Sequence, residues 1–107
     1  MQVIIQVVCS GSKSLREAIS NDHQLERYGL RVSKQKSPGR NPGWAKLKST
    51  SSEVLGAINL EWDPDSKILL SRVVTRSSKS NAIIGKYIDY LLGRRSSRIR
   101  AISIYPA

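Results

Sequence analysis

Residues 57–75, Ala57-Ile58-Asn59-Leu60-Glu61-Trp62-Asp63-Pro64-Asp65-Ser66-Lys67-Ile68-Leu69-Leu70-Ser71-Arg72-Val73-Val74-Thr75, decide the fold. Ile58, Leu60 and Trp62 alternate with Ala57, Asn59 and Glu61, a period of two that turns one set toward a core and the other toward solvent. Residues 68–75 are a second β-rich run, and Asp63-Pro64-Asp65-Ser66 between the two is made of turn-forming residues. The stretch reads as a β-hairpin. Directly after it, Ile83, Ile84, Tyr87, Ile88, Leu91 and Leu92 recur at helical spacing, with Ser80 in front and Gly93 behind as a left-handed stop. Past the basic residues 94–100, Ile99, Ile102, Ile104 and Tyr105 predict a last strand that stops at Pro106.

Working back toward the N-terminus, Trp44, Lys46 and Lys48 alternate with Ala45 and Leu47, which predicts a short strand with a basic outer face. Residues 36–43, Lys-Ser-Pro-Gly-Arg-Asn-Pro-Gly, carry two Pro-Gly punctuations and form the most mobile-looking segment of the chain. Tyr28, Leu30 and Val32 against Gly29, Arg31 and Ser33 predict a further strand, again basic outside. Ser14 and Glu17 stand at capping-box spacing and open a helix that runs to about Asp22 or restarts once. Val3, Ile5 and Val7 alternate with Gln2, Ile4, Gln6 and Val8, so the second face is also partly apolar, the mark of an inner strand.

Strand, helix, three or four strands, helix, strand is the order of an α+β sandwich, a largely antiparallel sheet with two helices on one face. A ferredoxin-like split strand-helix-strand topology with extra strand material between Arg31 and Ser49 leads; a curved four-strand sheet over residues 28–75 followed by a helix is the alternative. With 107 residues and 39% hydrophobic content the chain supports one core, so residues 1–107 read as a single domain.

Charge is distributed in blocks. Between residues 27 and 52 lie Arg27, Arg31, Lys34, Lys36, Arg40, Lys46 and Lys48 with no acidic residue, and between 66 and 107 nine basic residues face only Asp89. The formal net charge is +10, and such runs attract a polyanion through summed Coulomb attraction and counterion release. Nucleic acid is therefore the expected partner, its type left open. The segment from Lys34 to Lys48 combines cations, glycines that admit close backbone approach, and Trp44, a ring able to stack on a base or to tuck against the core edge. Arg98 and Arg100 alternate with Ile99 and Ala101, so on a strand they would project together and grip phosphates. The expected nucleic-acid-binding residues are Arg31, Lys34, Lys36, Arg40, Trp44, Lys46, Lys48, Arg98 and Arg100.

The remaining motifs point away from common chemistry. Cys9 ends an apolar run without a basic neighbour and reads as a small buried residue; His23 reads as a surface residue. Glu61, Asp63 and Asp65 are the one acidic cluster; Asp63 and Asp65 are ordinary turn residues, a better account of the cluster than a metal site. No phosphate loop, zinc spacing or nucleophile elbow occurs, so no cofactor, metal or catalytic residue is expected. The apolar part of residues 1–12 is too short for a membrane span, and an intracellular, cytoplasmic location with no membrane partner is the expectation. A non-enzymatic nucleic-acid-binding protein leads, ahead of a toxin-like metal-independent ribonuclease. The third reading is a homodimeric interaction module with an acidic partner, pairing through exposed strand edges at residues 44–48 or 99–105.

Overall fold

The structure, a computed structural model, describes residues 2–75 and 81–106. Six strands, β1 (Gln2–Cys9), β2 (Leu30–Lys36), β3 (Trp44–Ser49), β4 (Ala57–Asp63), β5 (Ile68–Val74) and β6 (Ile99–Pro106), form one sheet in the order β2-β3-β4-β5-β1-β6. Every neighbouring pair is antiparallel. Helix α1 (Leu15–Ser20) and a 3-10 helix (His23–Tyr28) connect β1 to β2, and helix α2 (Asn81–Arg94) leads from β5 to β6.

The order contains the expected split units. β5 and β6 both run against β1, so they are parallel to each other with β1 between them and α2 as the crossover. β1 and β4 are likewise parallel, with β5 between. The ferredoxin-like four, β4-β5-β1-β6, is then widened by the β2–β3 hairpin at one edge. The four-strand run β2–β5 of the alternative reading is present as a meander, but within this larger sheet.

One face of the sheet holds the core. Val3, Ile5, Val7 and Cys9 of β1, Ile58, Leu60 and Trp62 of β4, and Leu69 and Val73 of β5 pack with Leu15 and Ile19 of α1 and Ile83, Tyr87 and Leu91 of α2, all buried. The hairpin over residues 57–75 forms as its alternation requires, its tip closed by the Asp63 carboxylate, which accepts from the Asp65 amide (3.0 Å) and the Ser66 hydroxyl (2.7 Å). Strand β1 is an inner strand, paired on both sides, and Cys9 is buried, where desolvation raises its thiol pKa.

One local alternative is settled and three local expectations are corrected. The first helix restarts, as one of its two readings allowed: Ser14 caps α1, and Asp22 caps the 3-10 helix by accepting from the Gln24 amide at 2.9 Å. That second helix takes in Tyr28 and ends at Gly29 in the left-handed region (φ 73°), so β2 begins only at Leu30. Gly93 is inside α2 and is no left-handed stop; a Cβ there would lie 2.5 Å from the Tyr28 hydroxyl oxygen, so the glycine makes room for the Tyr28 ring, which stacks edge-on against Tyr90 at 5.5 Å. Residues 44–48 are no exposed edge, because β3 lies between β2 and β4; the edges are β2 and β6. Ser80, expected to precede α2, lies outside the described residues. Among the described residues no helix is long and apolar enough to cross a membrane.

Candidate functional site

With both helices on one face, no described helix covers the opposite face of the sheet. Strand register assigns its side chains in rows that cross the sheet. One row reads Arg31, Lys48, Ala57, Val74, Gln2. The next reads Lys34, Lys46, Asn59, Arg72, Ile4, Tyr105. Lys36 stands opposite Trp44 in a third, and Glu61, Leu70, Gln6 and Ser103 continue it. The irregularity between Val32 and Lys34 keeps this face basic: it shifts the register, so that Val32 meets Leu47 on the core side while Lys34 meets Lys46 on the open side.

The open face thus has two halves. Over β2, β3 and β4 it carries Arg31, Lys34, Lys36, Lys46 and Lys48, all on one surface with Trp44; β2 runs to Lys36, so Lys34 and Lys36, expected in the loop, stand on the strand. Over β5, β1 and β6 it is Ile68, Leu70, Val74, Gln2, Ile4, Gln6, Val8, Ala101, Ser103 and Tyr105, with Arg72 the single charge, at the seam.

Three shallow depressions adjoin along the basic half. The largest, about 430 Å³, is bordered by Lys46, Lys48, Leu55, Ala57, Asn59 and Val74. It shares Lys46 and Asn59 with a second of about 220 Å³, whose other walls are Trp44, Glu61 and Arg72. Trp44 and Glu61 also border a third, about 230 Å³, together with Lys36, Pro42 and Gly43. From Ala57 to Glu61 this groove follows β4 for roughly 13 Å. A separate hollow of about 390 Å³ beside the 3-10 helix includes Asp22 and Glu26 in its rim, which does not suit a polyanion.

The tip between β2 and β3 is fastened and does not hang free. Arg16 of α1, with a side chain 2% exposed, donates from Nη2 to the Arg40 carbonyl at 2.8 Å and to the Ser37 carbonyl at 3.4 Å, and pairs with Glu17 at 2.9 Å. Gly43 is required beneath: any Cβ there would collide with the Lys36 carbonyl and Arg16 Nη1. The Arg40 side chain itself is exposed on this tip.

Arg98 and Arg100 do not stand together as expected. Arg98 sits in a 3-10 turn (Ser96–Arg98), where its guanidinium donates to the Ser10 and Lys13 carbonyls, both at 2.7 Å, and so closes the turn between β1 and α1. Arg100 is exposed on β6, at the irregularity that pairs Ile99 with Cys9 and Ala101 with Val8. Since β6 and β2 are opposite edges, five strand spacings or roughly 24 Å separate these two arginines from the β2 cations.

Two participants escaped the sequence reading. Arg72 joins the open face, a placement that follows from the alternation of Leu70, Arg72 and Val74 once the hairpin is drawn. Asp22 organises the helical side: its carboxylate accepts from Arg94 (3.0 Å), Arg95 (3.0 Å) and the Tyr90 hydroxyl (2.8 Å). Burial works to raise the Asp22 carboxyl, but those hydrogen bonds, the Gln24 amide and the Arg95 charge outweigh it and hold the group well below the usual carboxylate range. Tyr90, buried beside it, is pushed up to about 12, chiefly by desolvation. No sequence signal joins Asp22 to partners 72 and 73 residues away.

The fold and site define a class, an open-faced α+β sheet with a cationic, tryptophan-bearing groove. Compared with family models, curated proteins and solved structures, the chain matches none. Among the described residues no group of three His, Cys, Asp or Glu side chains converges as a metal site.

Proposed function

We propose that this protein binds single-stranded nucleic acid along the basic half of its open sheet face. The observation that carries this reading is the groove: three adjoining depressions on an uncovered sheet, bordered by Lys36, Lys46, Lys48 and Arg72 and interrupted by the half-buried ring of Trp44. Lysines along a groove neutralise phosphates without reading sequence, and an aromatic ring set among them stacks on a base. A duplex has its bases stacked inside and cannot offer them to Trp44, whereas a single strand can. Arg31, Lys34 and Arg40 extend the positive field toward the β2 edge and its tip.

The test is a titration of the purified protein with labelled single- and double-stranded DNA and RNA 12-mers at low and physiological salt, following tryptophan emission. Trp62 is 6% exposed in the core, so quenching reports Trp44. Salt-sensitive binding of single strands with quenching is expected; no binding of any form at low salt overturns the reading.

A second reading is favoured by one observation. Edge strand β6 carries no charged residue from Ala101 to Pro106 and exposes Ile104 and Tyr105 at 47% and 52%, whereas edge strand β2 is lined with Arg31, Lys34 and Lys36. An uncharged edge lacks the usual protection against pairing, so β6 is the edge through which two copies would join, leaving both basic halves outermost. A sedimentation mass of one chain at high protein concentration rejects it.

A further inference from the structure

The middle depression of the groove holds a combination that phosphate binding does not require. Its walls are Trp44, Lys46, Asn59, Glu61 and Arg72, a ring, an amide, two cations and a carboxylate. Oppositely charged side chains lining one hollow ordinarily pair. Here they do not: among the described residues the ion pairs are those of Arg16 with Glu17 and of Asp22 with Arg94 and Arg95. Arg72 Nε is buried and has no hydrogen-bond partner among the described residues. An orphaned buried donor costs about 1–3 kcal/mol; Arg16 Nη1 is orphaned as well, but of the two only Arg72 borders the groove, where a turn of its side chain onto a ligand acceptor would relieve that cost. A carboxylate on a face built for phosphate is likewise unfavourable unless something in the ligand donates to it.

From this juxtaposition we infer that the Trp44–Glu61–Arg72 depression is a nucleobase subsite selective for guanine. The inference rests on the single-strand reading above and concerns which base lies at Trp44. A flipped-out base presents its Watson–Crick and Hoogsteen edges to the protein. Guanine alone offers two adjacent donors, N1–H and the N2 amino group, that match the two oxygens of a carboxylate, and acceptors at O6 and N7 that match arginine or lysine. Thymine or uracil offers one N–H between two carbonyls, which a carboxylate repels; cytosine and adenine offer an amino group without the second donor. In the guanine arrangement Glu61 accepts from N1–H and N2–H, Arg72 or Lys46 donates to the O6 edge, and Trp44 stacks on the ring face.

The deciding comparison uses a thymidine 12-mer, the same 12-mer with one central deoxyguanosine, and the same again with deoxyinosine, which lacks only the N2 amino group. The intact protein should bind the guanine strand about tenfold more tightly than the thymidine strand, the value of one good bidentate base contact, with inosine between them. Glu61→Gln should abolish that preference while binding the thymidine strand as tightly as before or more tightly, because a negative charge leaves the phosphate path. Opposite movement on the two strands is a signature that mere loss of structure cannot produce. Equal, salt-sensitive binding of all three strands by the intact protein, or a preference that survives Glu61→Gln, would refute the guanine subsite and leave the single-strand reading standing. Failure of every strand to bind would instead remove that reading, and the subsite with it.

Discussion

The cations of this chain fall into two populations that the residue count does not separate. Arg16, Arg94, Arg95 and Arg98 are tied into the structure: Arg16 to the tip carbonyls of Ser37 and Arg40, Arg94 and Arg95 to Asp22, Arg98 to the carbonyls of Ser10 and Lys13. Arg31, Lys34, Lys36, Lys46, Lys48 and Arg72 lie on the open face and make no ion pair with any described residue. Apart from Arg16, both populations come from the two basic runs at residues 27–52 and 66–107. The difference is what surrounds them: the first sits where helix ends and turns bring backbone carbonyls and the carboxylates of Glu17 and Asp22 within reach, the second on the open face of strands, where no described carboxylate pairs with them. A basic run is therefore evidence for a polyanion only after the structural arginines are subtracted from it.

Breaking the first population should destabilise the protein, and the largest effect falls at Asp22. Asp22→Asn leaves Arg94, Arg95 and Tyr90 facing a neutral amide and should cost about 3 kcal/mol, roughly 12 °C in melting temperature, by the usual value of buried charge-assisted hydrogen bonds. The same carboxylate predicts the acid limb. Its folded pKa is depressed, so its stabilising effect is complete above the unfolded value of about 3.9 and is lost as pH falls below that toward the folded value. Chemical-denaturation curves should show the wild type and Asp22→Asn converging below about pH 4. A gap that stays constant down to the acid transition would mean that Asp22 does not act through its charge.

The second population should respond in the reverse way. Trp44→Ala should lose about 2 kcal/mol of single-strand affinity, the scale of one stacked base, and should abolish quenching. Unchanged affinity in a fluorescence-anisotropy titration would return Trp44 to a purely packing role. Gly93→Ala, on the helical side, forces the Tyr28 ring to shift and should cost about 1 kcal/mol in stability with no effect on binding. Smallest of all, Lys46→Ala and Lys48→Ala should each change stability by less than about 0.5 kcal/mol, since both lie on the uncovered face. A substantial loss of melting temperature in either variant would erase the distinction between the two populations.

Much of the architecture was legible because it rests on local periodicity. The hairpin over residues 57–75, the helix carrying Ile83, Tyr87 and Leu91, and the basic outer face of β3 all follow from alternation or helical spacing. What escaped depends on tertiary geometry. Gly93 looks like a helix stop until the Tyr28 ring is placed against it, and Arg98 looks like a strand residue until the Ser10 and Lys13 carbonyls are placed within its reach. Arg16 is buried beneath a tip that reads as mobile, and only the fold shows the carbonyls it holds. The site was partly readable for the same reason: Trp44, Lys46 and Lys48 share a face by alternation, while Lys34 and Lys36 join Arg31 on that face only through the register shift after Val32, and Arg72 and Glu61 only through the order β3-β4-β5.

The most direct test of the two-population account is the slope of log K against log salt for a thymidine 12-mer, measured on the wild type and on Lys34→Ala/Lys46→Ala/Lys48→Ala. The wild type should show a steep negative slope, and the triple variant a slope shallower by about 2, since each neutralised phosphate of a single strand contributes roughly 0.7, at an unchanged melting temperature. An identical slope in the two proteins, or no measurable binding by the wild type at low salt, would contradict the claim that the open basic face is where this protein meets its partner.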